Sequence, residues 1–141
     1  AEHSIVEIDI NRVMQMLLLH DLVEIDAGDA PIHGEIDHKK MAAKEEAAAK
    51  RLFGLLPEAQ KVSFAALWHE FEAAESDDAI FAKSIDRVQP LLLNLQNGGG
   101  SWVEYQVSLD QIDTRVGQKV LLGTPEVWHY VRARIKPWFD A

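Results

Sequence analysis

A chain of 141 residues, 48% hydrophobic and 26% charged, has the length and composition of one ordinary globular domain spanning 1–141. The absence of cysteine excludes disulfides, thiolate-bound zinc and iron–sulfur clusters, and it fits a cytoplasmic protein. A net charge of −9 argues against the clustered basic surface that coats a nucleic-acid polymer. An anionic partner is therefore expected to be a small molecule, its charge met by a metal or by a few basic groups in one pocket.

The chain reads as helix after helix, about six in all. Asp9 caps a first helix running through Val13, Met16, Leu17 and His20 to about Ala27, with Gly28 as its terminating residue and Pro31 as a stop. That helix is apolar on nearly every side, which predicts a central position. A second helix covers roughly 37–52 and ends at Gly54. Its Lys39–Lys40, Lys44–Glu45–Glu46 and Lys50–Arg51 charges read as a plain solvated face. Pro57 opens a third helix through Phe64, Leu67, Trp68 and Phe71.

Ser76, Asp77 or Asp78 caps a fourth helix through Phe81, Ile85, Val88 and Leu92, and 97–101 (Asn-Gly-Gly-Gly-Ser) reads as a flexible loop. Ser108 and Gln111 form a capping box for a fifth, and Thr124-Pro125 starts a sixth that ends near Pro137. No apolar run approaches the roughly 20 residues of a membrane span, and no leader pattern is visible. The chain starts at Ala1 rather than Met, so an incomplete N-terminus is expected.

The first helix carries His20, Asp21 and Glu24 within one turn of an otherwise apolar run. Burying ionisable groups there is costly without compensation, and a divalent cation compensates imidazole nitrogen and carboxylate oxygen together. Adjacent helical residues diverge by about 100°, so an ion touched by both His20 and Asp21 sits beside the helix and needs other helices to complete its shell. Glu24, four residues after His20, lies on the same side one turn along, where a general acid or base would act. The dipeptide alone is weak evidence; a satisfied core histidine with an ordinary ion pair explains it as well. Periodicity sets Asp86 opposite the stripe of Ile80, Phe81, Ile85, Val88, Leu91 and Leu92 and reads it as an exposed acid. Pro90 should disturb the helix at the Asp86 carbonyl.

The wider pattern resembles the HD-domain superfamily of metal-dependent phosphohydrolases. It consists of Ala-Glu-His-Ser at 1–4, His-Asp-Leu-Val-Glu-Ile-Asp-Ala-Gly-Asp at 20–29 and Lys-Ser-Ile-Asp-Arg at 83–87, with the Gly-rich loop and the Pro-Glu-Val-Trp helix start. The nearest branch is that of the bacterial 5′-deoxynucleotidases and the eukaryotic HD domain-containing protein 2. The resemblance implies an all-α HD-domain-like bundle holding one divalent ion through His3, His20, Asp21 and Asp86, with Glu24 catalytic and Asp29 positioning the nucleotide sugar or nucleophile. The ion would be Mn²⁺, Co²⁺, Fe²⁺, Zn²⁺ or Mg²⁺. Lys83, one turn before Asp86, is the candidate phosphate contact. One departure stands out: the family fits a whole helix between its first His and the His-Asp pair, where this chain has only Ile5 to Leu19. The family's basic N-terminal phosphate grip has no counterpart either.

Asp26 lies outside the shared pattern and reads as a surface carboxylate. His33 and His38 are candidates for a second metal, His69 and His129 read as surface residues, and Trp102 as a core anchor with base stacking as an alternative. The resemblance implies hydrolysis of a (deoxy)nucleoside 5′-monophosphate by a homodimer. The alternatives are a non-catalytic nucleotide-sensing module and a dinuclear HD-type oxygenase.

Overall fold

The computed structural model describes residues 1–29 and 37–141. Among them every regular element is helical, so the all-α expectation holds. The elements are α1 (Ile10–Ala27), α2 (His38–Phe53), α3 (Glu58–Ala73), α4 (Asp77–Gln96), the short α5 (Ser101–Glu104), α6 (Leu109–Ile112), α7 (Gln118–Gly123) and α8 (Pro125–Asp140). A five-residue π-turn, Asp113–Gly117, joins α6 to α7, so the expected fifth helix is one continuous stretch with a wide turn inside it.

Local chemistry sets most boundaries. The Asp9 carboxylate accepts from the Asn11 and Arg12 amides, Asp37 does the same for Lys39 and Lys40, and Ser76 for Ala79. Ser108 and Gln111 form the reciprocal capping box. Gly28 ends α1 at φ 79°, a backbone state that favours glycine. The Pro31 stop lies outside the described residues. Neither proline inside a helix ends it: α4 runs six residues past Pro90, and α8 runs past Pro137 to Asp140. Pro90 has no N–H to offer the Asp86 carbonyl, so the ladder is interrupted at the centre of α4.

Two apolar clusters share α4. One joins Val13, Met16, Leu19 and Val23 of α1 to Ala48, Phe53, Trp68, Phe71 and Phe81. The other packs Val88 and Leu91 against Trp102, Ile112, Val116, Trp128 and Ile135. Asp86 falls at the seam between them. Trp102 is 1% exposed and stacks on Trp138 and Phe139, so it is a core anchor and has no face left for a base.

The central position expected of α1 is corrected. Its inner face is buried, but Ile10, Met14, Leu18, Leu22 and Ile25 stand 40–72% exposed along the outer face. The apolar composition is real; the described residues cover only one side of it. No helix among the described residues is long and apolar enough to cross a membrane.

Close approach at one glycine fixes the second cluster against α4. A Cβ on Gly123 would lie 2.6 Å from Ser84 Oγ and 2.9 Å from the Ile80 carbonyl oxygen. Ser84 is fully buried; its hydroxyl donates to the Phe81 carbonyl at 2.7 Å and accepts from Thr124 at 3.2 Å. The end of α7 is thereby seated directly on α4.

Candidate metal centre and its cleft

His20 and Asp21 lie two-thirds of the way along α1, and Asp86 comes from the facing middle of α4. One ligand atom from each lies within 4.8 Å of the others, the only such metal-competent group among the described residues. An imidazole nitrogen with two carboxylate oxygens is a donor set of borderline softness, suited to divalent first-row metals and Mg²⁺. The residues present therefore fit a divalent ion.

The two imidazole nitrogens of His20 face different partners. Nε2 points to the metal side, 3.2 Å from Glu24 Oε1 and 4.0 Å from Asp86 Oδ1. Nδ1 points to Glu72 Oε1 at 3.6 Å, while the ring packs on Phe71 with centroids 4.7 Å apart. A carboxylate behind the far nitrogen of a ligating histidine fixes its tautomer and orientation. Glu72 was missed in the sequence. It sits on α3 with no local spacing to mark it, and only the packing of α3 on α1 brings it to His20.

Crowded acids set the protonation balance. Burial lowers the affinity of His20 for a proton, but Glu72, Asp86 and Glu24 outweigh it and raise the imidazole above its ordinary range. Burial pushes Glu24 up, offset in part by His20 and reinforced by Asp29, Asp21 and Asp86. Burial likewise raises Asp86, against His20, Lys83 and Arg87. Glu72 resists its own burial because His20 and Lys83 hold it down. Carboxylates kept above their normal range side by side are what a bound dication relieves.

His3 is not brought into this group. Its side chain is exposed and its Nδ1 lies 3.4 Å from Glu126 Oε2, at the start of α8. The physical reason is helix rise: His20 stands eleven residues beyond the Asp9 cap, about 16 Å along α1. Asp29 is exposed and lines the cleft beside Glu24. Lys83 lines it too, with Nζ 3.3 Å from Glu72 and 4.3 Å above the Phe71 ring. Asp26 turns away to pair with Arg51, a surface arrangement. His38 stands at the cleft rim, His69 pairs with Glu46 at 3.0 Å, and His129 is exposed. His33 lies outside the described residues.

The cleft above the triad has a volume of about 1340 Å³, ample for a nucleotide-sized ligand. Its charge is segregated. Asp21 and Glu24 of α1, Asp29 just after it, Glu45 of α2, Glu72 of α3 and Asp86 of α4 make one side acidic, whereas Lys83, Arg87, Arg115 and Lys119 come from α4 and beyond.

An all-helical bundle that gathers a His-Asp pair and a distant Asp in this way carries the donor set of a divalent-metal site. The chain belongs to the HD-domain family: the HD domain model matches residues 1–128. It is similar to the Mus musculus and Homo sapiens proteins named 5′-deoxynucleotidase HDDC2, at 32% identity over 82 residues in both cases. Those matches take 58% of this chain but only 41% and 40% of the relatives' own length. A solved structure, described as a predicted metal-dependent phosphohydrolase from Magnetospirillum magnetotacticum MS-1, superposes with a TM-score of 0.89 at 42% identity. The match covers 99% of this chain and 69% of that one.

Proposed function

We propose that this chain is a metal-dependent phosphohydrolase acting on the phosphomonoester of (deoxy)nucleoside 5′-monophosphates. The observation that carries it is the His20, Asp21 and Asp86 cluster with Glu24 at 3.2 Å from His20, set in the floor of a nucleotide-sized cleft. The relatives named above agree in chemistry. A divalent ion held by His20, Asp21 and Asp86 would polarise a phosphoryl oxygen and lower the pKa of a water molecule. His20 offers Nε2 to that ion while Glu72 orients its ring from behind. Glu24 takes the proton of the attacking water or hands one to the leaving oxygen. Asp29, beside Glu24, is placed to position the sugar or the nucleophile. Lys83, shared with Glu72, adds a cation for the phosphate. His3 remains a proposed fourth ligand only if its segment leaves Glu126.

A screen of nucleoside 5′-monophosphates with Mn²⁺, Co²⁺, Fe²⁺, Zn²⁺ and Mg²⁺ tests this reading by phosphate release. We expect release that depends on metal and favours monophosphates over diesters. No release with any metal, alongside tight nucleotide binding, would favour the sensing module; two irons per chain would favour the oxygenase.

The outer face of α1 supports a homodimer. Five exposed apolar side chains in one stripe amount to about 500 Å², at the upper end for a monomer's largest patch. Pairing two copies would bury about 1,000 Å², the lower bound for a specific interface. Light scattering should give twice the 15.9 kDa chain mass, and Leu18→Glu, at a position 64% exposed, should halve it without loss of helicity. A monomeric wild type at micromolar concentration would overturn the pairing.

A further inference from the structure

Beside its cations α4 brings one acid to the cleft, Asp86, next to Arg87 in sequence. Arg87 and Lys119 make no ion pair with any described residue, whereas Lys83 is matched by Glu72. Arg87 is half-buried, and its Nε is shut off from solvent with no hydrogen-bond partner among the described residues. A buried guanidinium nitrogen left unpaired is costly. Lys83 and Arg87 are four residues apart on α4, and Arg115 and Lys119 are four apart across the π-turn into α7. On α4 like charges at that spacing repel, with Glu72 offsetting the Lys83 charge.

Arg87 and Lys119 approach one another across packed helices, a like-charge contact that an anion between them would relieve. Gly123 seats the end of α7 on Ser84. Lys119 is one turn before Gly123 and Arg87 is one turn after Ser84, so the seating carries the two cations toward each other over the cleft. Arg87 is the main influence lowering the affinity of Lys119 for its proton, ahead of burial and Lys83. In a chain of net charge −9 with 14 Lys and Arg, Arg87, Arg115 and Lys119 on one cleft wall are a local concentration of positive charge.

We infer that Arg87 and Lys119, with Arg115 at the rim, form an anion subsite that binds the phosphate oxygens of the substrate facing away from the His20–Asp21–Asp86 centre. The inference rests on the phosphohydrolase reading for the identity of the anion, but not for its existence. The guanidinium offers planar donors to two oxygens at once, and Lys119 offers a point charge. The acidic side then takes the cation and the basic side the anion, so the dianion is not driven off by the carboxylates near Glu24. The π-turn has a physical use in this arrangement, because the wide turn is where Arg115 joins the cleft wall.

The test titrates inorganic phosphate into the intact chain by calorimetry in the presence of a chelator, which isolates the basic wall from any metal. Wild type should bind. Lys119→Gln and Arg87→Gln should each weaken phosphate at least about tenfold, the worth of one charged hydrogen bond. Asp21→Ala should bind phosphate as wild type does. With metal and a nucleoside monophosphate, the two subsite variants should raise KM by a similar factor, with a smaller change in kcat. Lys119 is exposed, so Lys119→Gln keeps the fold even if Arg87→Gln does not. Wild type that binds no phosphate in chelator, or Lys119→Gln with unchanged phosphate affinity and KM, would overturn the subsite. Phosphate binding that is lost in both variants, in a chain that hydrolyses no nucleotide, would leave the subsite standing and overturn the phosphohydrolase reading.

Discussion

Asp21→Ala is expected to remove metal binding and activity together while leaving the apo fold unchanged. Asp21 is exposed and makes no hydrogen bond or ion pair with another described side chain, so its loss creates no buried orphan. Its proposed contribution is one carboxylate oxygen to the group of three. A ligand that binds only the folded state at a hundredfold excess over its Kd stabilises by about 2.7 kcal/mol. For a chain of this size that corresponds to roughly 5–10 °C in Tm. Metal should therefore raise the melting temperature of wild type by that amount and of Asp21→Ala by nearly nothing. Residues merely supporting a metal ligand cost about 10–100-fold when lost, so removing the ligand itself should lower kcat by more than about 100-fold. Equal metal-induced shifts in the two proteins would remove Asp21 from the centre.

The helices and their ends were legible because their causes are local. Asp9, Ser76 and the Ser108–Gln111 box each act within three residues of where they stand. His20, Asp21 and Glu24 were legible for the same reason, since one helical turn already places them on adjoining faces. Asp86 was visible only by resemblance, because periodicity set it outside the apolar stripe. What decides it is the seam between two clusters, a tertiary feature. Glu72 and Lys119 left no local signal, and Arg87 stood in the sequence only as the end of the 83–87 pattern: each matters through a neighbour on another helix.

Two sequence expectations differ from the described arrangement for instructive reasons. Apolar residues around α1 report that something should cover them, but not whether the described chain supplies the cover. The resemblance placed His3 with the ligands, yet in this chain the segment before Asp9 leads straight into α1. The rise of that helix then separates His3 from His20, and Glu126 receives it instead.

Charge segregation in the cleft gives the site an electrostatic economy that neither half has alone. A phosphate dianion entering a pocket lined by Asp21, Glu24, Glu72 and Asp86 meets strong repulsion at short range, where the low dielectric weakens screening. A dication on that side, with the cations of the opposite wall, would reverse the sign of the field at the point between them. The pair of Lys83 and Glu72 lies on the boundary, with Glu72 facing His20 and Lys83 lining the cleft.

Glu24→Gln is expected to keep the metal and lose the chemistry. The side chain is half-buried, with Oε1 3.2 Å from His20 Nε2, and it stands outside the group of three ligand atoms. Burial holds its carboxyl above the ordinary range, which brings it nearer the working pH, where a group can both take and give a proton. Glutamine keeps the volume and one hydrogen-bonding oxygen, so packing against His20 survives and only proton transfer is lost. We expect kcat to fall on the order of 10²–10⁴-fold, the usual worth of a general acid–base group. Metal content and the metal-induced rise in Tm should stay near wild type, in contrast to Asp21→Ala. If Glu24 is instead a direct ligand, metal content falls with the rate in Glu24→Gln. If it is only a buried partner for His20, Tm falls while the folded fraction retains full specific activity. Metal analysis, melting and kcat on one preparation separate the three outcomes. Full activity in a folded, metal-loaded Glu24→Gln protein would remove the proton-transfer role, whatever the fate of the metal centre itself.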